Sequence, residues 1–109
     1  MTVKELCELD GFTSLALPEP ERKIGGAYVG DLLSWVMGRA KADDAWITIM
    51  SNVNIIAVAT LTDVSCIILS EGVTPDEDII SIAHSKGVNL LSCVDPSYEA
   101  AARLHELEV

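Results

Sequence analysis

AWITIMSNVNIIAVATLTDVSCIIL, residues 45–69, is the longest apolar segment of the chain, and how it divides decides the fold. Trp46-Ile47-Thr48-Ile49 is β-branched and aromatic, the composition of a pleated strand. Ser65-Cys66-Ile67-Ile68-Leu69 reads the same way and is apolar on both faces, like a strand covered on both sides. Between them, Ser51, Asn52 and Asn54 carry short polar side chains suited to a helix start, where N–H groups lack partners. The run that follows, residues 55–61, holds Ala57 and Ala59 but also four β-branched residues, so local propensity makes it a strand. Topology argues otherwise. Two doubly covered strands this close in sequence are joined by a right-handed crossover, which makes Asn54 to Thr62 a buried connecting helix.

Toward the N-terminus, Thr2 caps a short helix reaching Leu9, and Asp10-Gly11 stops it. Phe12 to Leu17 is a first strand, and residues 18–23 are a charged, proline-broken turn. Ile24 to Val29 is a second strand, in which Gly25-Gly26 marks a bulge or a close backbone approach. Gly30-Asp31 then opens a helix with Asp31 as its N-cap. Leu33, Val36, Met37 and Ala40 form the apolar stripe of that helix, with Leu32 at its edge. Trp35 points away from the stripe. Arg39 lies one turn on, near enough to lay its guanidinium on the indole. An outward Trp on a helix more often marks contact with another chain than chemistry, so Trp35, Val36 and Arg39 are the candidate interface. Local packing of the indole is the plainer alternative.

Toward the C-terminus, Thr74 is an N-cap, Pro75 the first helical residue, and Glu77 the partner in a capping box. That helix runs to about Lys86, with Ile79, Ile80 and Ala83 inward and Gly87 at its stop. Asp95-Pro96 repeats the start, and the last helix carries Tyr98, Ala101, Ala102, Leu104 and Leu107. The predicted order is α-β-β-α-β-α-β-α-β-α in a single domain, residues 1–109. Its fold class is α/β: a layered sandwich with a mainly parallel sheet of about five strands and helices on both faces.

Charge and cysteine usage restrict the partners. With 17 acidic against 7 basic side chains the net charge is −10, which argues against nucleic acid and against an anionic membrane surface. The charge reads as a solvated exterior that aids solubility. The first residues lack the apolar core of a signal peptide, and no apolar run reaches the roughly 20 residues that span a bilayer. Cys7, Cys66 and Cys93 are widely spaced and form no CxxC pair, as expected of reduced thiols in a cytoplasmic protein.

The chain carries no GxGxxG, GxxxxGK[ST], GxSxG or HExxH signature. Gly25, Gly26 and Gly30 fit no phosphate fingerprint, and Asp31 would repel a phosphate at that helix start. His84 and His105 stand among polar neighbours as exposed side chains with no nucleophile in view, and the carboxylates form no ligand cluster. No catalytic residue, metal or cofactor is therefore assigned. A small phosphoryl- or acyl-transfer enzyme would need a base and an anion clamp that the residues do not supply. Fold logic places a small-molecule site at the carboxyl edge of the sheet. There Thr48, Ser51, Asn52 and Asn54 are candidate ligands for an anion or a nucleotide edge, against the simpler role of capping the central helix.

Residues 26–38, GAYVGDLLSWVMG, with Ala45-Trp46-Ile47-Thr48 and Asn54-Ile55-Ile56-Ala57-Val58-Ala59, resemble the small free-standing DRTGG-domain proteins of anaerobic bacteria. DRTGG domains also occur within phosphate acetyltransferases and CBS-domain pyrophosphatases and are similar to the N-terminal domain of HPr kinase/phosphorylase. The resemblance implies an α/β domain without activity of its own, pairing as a homodimer in regulatory or scaffolding roles. The Asp-Arg that names the family falls at Ser51-Asn52-Val53-Asn54, where neutral residues stand instead. Two expectations follow: a homodimeric regulatory module sensing a small metabolite or nucleotide, or a ligand-free subunit docking on a metabolic enzyme or kinase.

Overall fold

Residues 54–62 coil. In the computed structural model, which describes residues 1–109, they form helix α3 (Asn54–Thr62) between strands β3 (Asp44–Thr48) and β4 (Cys66–Leu69). Those strands lie side by side in the same direction, Ala45 beside Cys66 and Thr48 beside Leu69. Every residue of both strands is buried, which accounts for their unbroken apolar composition. Burial of Ile55, Ile56, Val58 and Ala59 against the sheet overrides the strand propensity of the run.

The remaining elements are α1 (Val3–Cys7), β1 (Thr13–Ala16), β2 (Gly26–Val29), α2 (Leu33–Arg39), α4 (Glu77–Ser85), β5 (Leu90–Ser92) and α5 (Ser97–Glu106). The five-stranded sheet has the order β1-β5-β4-β3-β2. Strands β2 to β5 are parallel, and β1 closes one edge antiparallel to β5. Each parallel crossover steps one strand in the same direction, so the right-handed rule places α2, α3 and α4 on one face. Their apolar residues Val36, Ile55, Ile56, Ile79 and Ala83 share one core with Trp46, Ile67 and Leu69. The opposite face packs Ile47, Cys66, Ile68 and Leu91 beneath Val3 and Leu6 of α1 and Ala100 and Leu104 of α5. Each such Leu, Ile or Val contributes about 1.5–3 kcal/mol by leaving water.

Polar contacts secure the amino edge. Asn89, 2% exposed, accepts the Glu19 N–H and donates to the carbonyls of Glu19 and Ser65, tying the proline-broken turn to the sheet. Arg22 pairs with Asp43 at 3.0 Å and Asp63 at 2.9 Å. Both aspartates hold left-handed backbone, φ 71° and 60°, in the turns leading into β3 and β4. Gly26 marks neither a bulge nor a close backbone approach: the β2–β3 register is continuous, and a Cβ there would lie 2.9 Å from a side-chain atom, Asp44 Oδ1.

Several helix starts differ from the sequence-based expectation. Thr2 does cap α1, in a reciprocal box with Glu5. Asp31 does not cap α2; Leu32 occupies that position without a side-chain bond, because the Asp31 carboxylate is engaged across the sheet edge. Helix α4 begins after Asp76 rather than Thr74, so Pro75 lies outside it and Glu77 completes no box. Helix α5 begins after Pro96, and the Ser97 N–H is taken by the Glu71 carboxylate, 26 residues away. On α2, Val36 is fully buried, whereas Met37 is 47% exposed and falls outside the inward stripe.

Candidate functional site

The parallel strands β2 to β5 end together, and the loops after them form one edge of the molecule. Thr48 closes β3 there, 1% exposed. Its hydroxyl donates to Asp31 Oδ1 at 2.8 Å and accepts the Met50 N–H at 3.2 Å. Asp31 Oδ1 also accepts the Ile49 N–H at 3.0 Å. Thr48 is thus a buried junction between two loops, with its hydrogen-bonding capacity committed within the protein.

Asn52 and Asn54 are exposed and Ser51 is half-buried. Asn52 Oδ1 accepts the Asn54 N–H at 3.0 Å, while the Ile55 and Ile56 N–H groups donate to the carbonyls of Asn52 and Val53. The first donors of α3 are therefore satisfied internally, which removes the usual attraction of a helix N-terminus for an anion. What remains is neutral: the Ser51 hydroxyl and the Asn54 amide bond to no other protein group and could meet a ligand edge.

The next loops along the edge add carboxylates. Glu71, with φ 61°, holds the Ser97 N–H at 2.7 Å, and the hydroxyls of Ser70 and Ser97 lie 2.6 Å apart. Glu77 and Asp78 occupy the first turn of α4. Lys41, Arg22 and Lys86 lie toward the opposite edge, before β3 and after α4. Arg103 is the cation at this edge, 3.8 Å from Asp95 in the loop after β5, so a phosphate-bearing ligand would face mostly like charge.

The outer helix surfaces tell a different story. On α2, Trp35 is 55% exposed and Arg39 stacks over its indole, 4.1 Å from the ring centroid. Leu32, 61% exposed one turn before Trp35, widens this apolar area, while Met37, 47% exposed, lies on a different side of the helix. Val36 supports the helix from beneath and offers no surface. Between α3 and α4 runs a groove of about 460 Å³, lined by Val53, Ile56, Ala57, Thr60 and Leu61 opposite Ile82 and Lys86. Sequence patterning did not pick out this groove. Its signal was the absence of any charged residue in the nine of α3, unusual for a helix with Ala57, Thr60 and Leu61 exposed.

His84 and His105 are exposed on α4 and α5. All three cysteines are free, and burial pushes the Cys66 thiol up to about 12. No helix is long and apolar enough to cross a membrane.

A family model described as the DRTGG domain matches residues 20–107. Among solved structures, the chain is similar to the CBS and DRTGG domains of the regulatory region of Clostridium perfringens pyrophosphatase, a structure complexed with its activator, diadenosine tetraphosphate. The TM-score is 0.62 at 21% identity, over 85% of this chain and 40% of that one. The chain thus spans well under half of that structure, and the likeness speaks for the fold. A comparison with curated proteins finds no match.

Proposed function

The chain belongs to the DRTGG-domain family, and from that premise we propose that it is a non-catalytic, cytoplasmic regulatory module that works as a homodimer. The observation that carries this reading is the outer face of α2, where the Trp35 indole stands 55% exposed beneath the Arg39 guanidinium. A large aromatic held rigidly by a cation on an exposed helix is the kind of anchor that dominates protein interfaces. Leu32, one turn before it, supplies further apolar area that water otherwise covers at a cost. The regulatory role of the pyrophosphatase segment supports the same view.

The non-catalytic part rests on the carboxyl edge. Thr48 and Asp31 are bound to each other, Ser70 and Ser97 pair together, and neither histidine faces a nucleophile across a cleft. A metabolite or nucleotide bound at this edge would meet the neutral side chains of Ser51, Asn52 and Asn54 after β3, with Arg103, paired to Asp95, as the cation by the loop after β5.

Light scattering on the purified protein tests the pairing: a dimer at tens of micromolar supports it, and a monomer removes it. The second reading, docking on a metabolic enzyme or kinase without a ligand, draws on the same α2 face. A thermal-shift panel of nucleotides and acyl phosphates separates the two. A ligand at 100 times its dissociation constant adds about 2.7 kcal/mol, whereas silence across the panel favours docking.

A further inference from the structure

We propose that the groove between α3 and α4 binds a medium-chain aliphatic carboxylate, its head group on Lys86 and its hydrocarbon along α3. The proposal supplies a ligand class for the regulatory reading and rests on it only for its purpose, since binding here does not require pairing through α2.

The cavity, about 460 Å³, falls within the roughly 300–1,000 Å³ of small-molecule sites. Small side chains at Ala57 and Thr60 leave the room, and Val53, Ile56, Leu61 and Ile82 supply apolar wall. Thr60 adds little polarity, because its hydroxyl donates back to the Ile56 carbonyl at 2.9 Å and is spent within the helix. Lys86 is then the sole ionised side chain of the lining, and no carboxylate lies within ion-pair distance of its ammonium. On a chain of net charge −10, the one charge within the lining is positive, with the Glu19 carboxylate beyond it beside Gly87.

The polarity of the site sets the ligand's direction. Val53 and Lys86 lie toward opposite ends of the helix pair, since α3 starts and α4 finishes at those residues. The N–H groups at the Val53 end are already capped, so an anion finds no donor there. Along the nine residues of α3 the groove has up to ~13 Å of helix wall, comparable with an extended medium-chain acid. A neutral hydrocarbon would gain the apolar contact but leave the exposed ammonium solvated and unpaired. A nucleotide would present more charge than one lysine can answer.

Methyl-resolved NMR titration of the full chain with hexanoate, octanoate, decanoate and 1-octanol tests this. Shifts are expected at Val53, Ile56, Ala57, Leu61 and Ile82, with affinity rising about fourfold per buried methylene and octanol binding more weakly than octanoate. Lys86→Gln, at an exposed position, should reduce octanoate to the level of octanol, and Ala57→Phe should abolish both by filling the groove. Absence of groove shifts at millimolar acid, or equal binding of acid and alcohol by the unaltered protein, overturns the proposal. So do groove shifts that follow protein concentration alone, which would mean that a second copy covers it. The first two failures leave the oligomer mass unchanged, and a monomer that binds octanoate would remove the pairing while keeping this site.

Discussion

The carboxylate of Asp31 accepts the hydroxyl of Thr48 at 2.8 Å, joining the loop after β2 to the end of β3 across 17 residues of sequence. The same oxygen accepts the Ile49 N–H, so one side chain satisfies two donors. Replacing Asp31 with Ala strands a hydroxyl that is nearly solvent-free. Urea denaturation should show a loss of about 1–3 kcal/mol. In a double-mutant cycle with Thr48→Val, the two losses should combine to less than their sum, because both remove the same bond.

The two tryptophans should respond very unequally to substitution. Trp46 is fully buried and donates from Nε1 to the Gly30 carbonyl at 2.9 Å. Trp46→Phe leaves that carbonyl unpartnered and a void in the core, at a cost of about 2–4 kcal/mol in stability. Trp35→Ala on the exposed face of α2 should cost the monomer less than about 1 kcal/mol. Calorimetry on both variants, at a concentration where the unaltered protein is monomeric, makes the comparison.

Much of the architecture was legible because topology constrains it. Two doubly covered strands separated by residues 49–65 admit a crossover helix and little else, and Asn54–Thr62 is that helix despite Ile55, Ile56, Val58 and Thr60. Cap positions were less legible. Asp31 and Glu71 are claimed by partners remote in sequence, Thr48 and Ser97, and local cap rules cannot see such competitors. The α3–α4 groove was hidden for a related reason: α4 sits beside α3 only after the sheet assembles. The Arg39–Trp35 stacking, set by spacing within a single helix, was visible from the residues alone.

Arg22 should act as a salt-sensitive fastener. Its guanidinium binds both Asp43 and Asp63 and also donates to the Asp63 carbonyl, but both carboxylates are more than half exposed. Solvent screening limits such pairs to about 1 kcal/mol. Arg22→Ala should therefore lower stability by about that amount at low ionic strength, and the difference should shrink in 1 M salt, where the screening length is about 3 Å.

The thiols should report the core. Burial raises Cys7 above its ordinary value and pushes Cys66 from 9.0 to about 12. A thiol with a raised folded pKa adds nothing unfavourable while both states are protonated, so the thiols leave stability unchanged below pH 9. Above it the unfolded chain ionises first, and stability should fall progressively from pH 9 toward 12. In the native protein at pH 8, a thiol reagent should reach the partly exposed Cys7 first, with Cys66 and Cys93 reacting only in denaturant.

Sedimentation equilibrium of the unaltered chain and of Trp35→Glu, over a series from one to one hundred micromolar, tests the central claim most directly. The α2 surface predicts a mass that rises to twice that of the chain for the first and stays at one chain for the second, with matching far-UV circular dichroism. A single-chain mass throughout for the unaltered protein, or an undiminished dimer in Trp35→Glu, would contradict it.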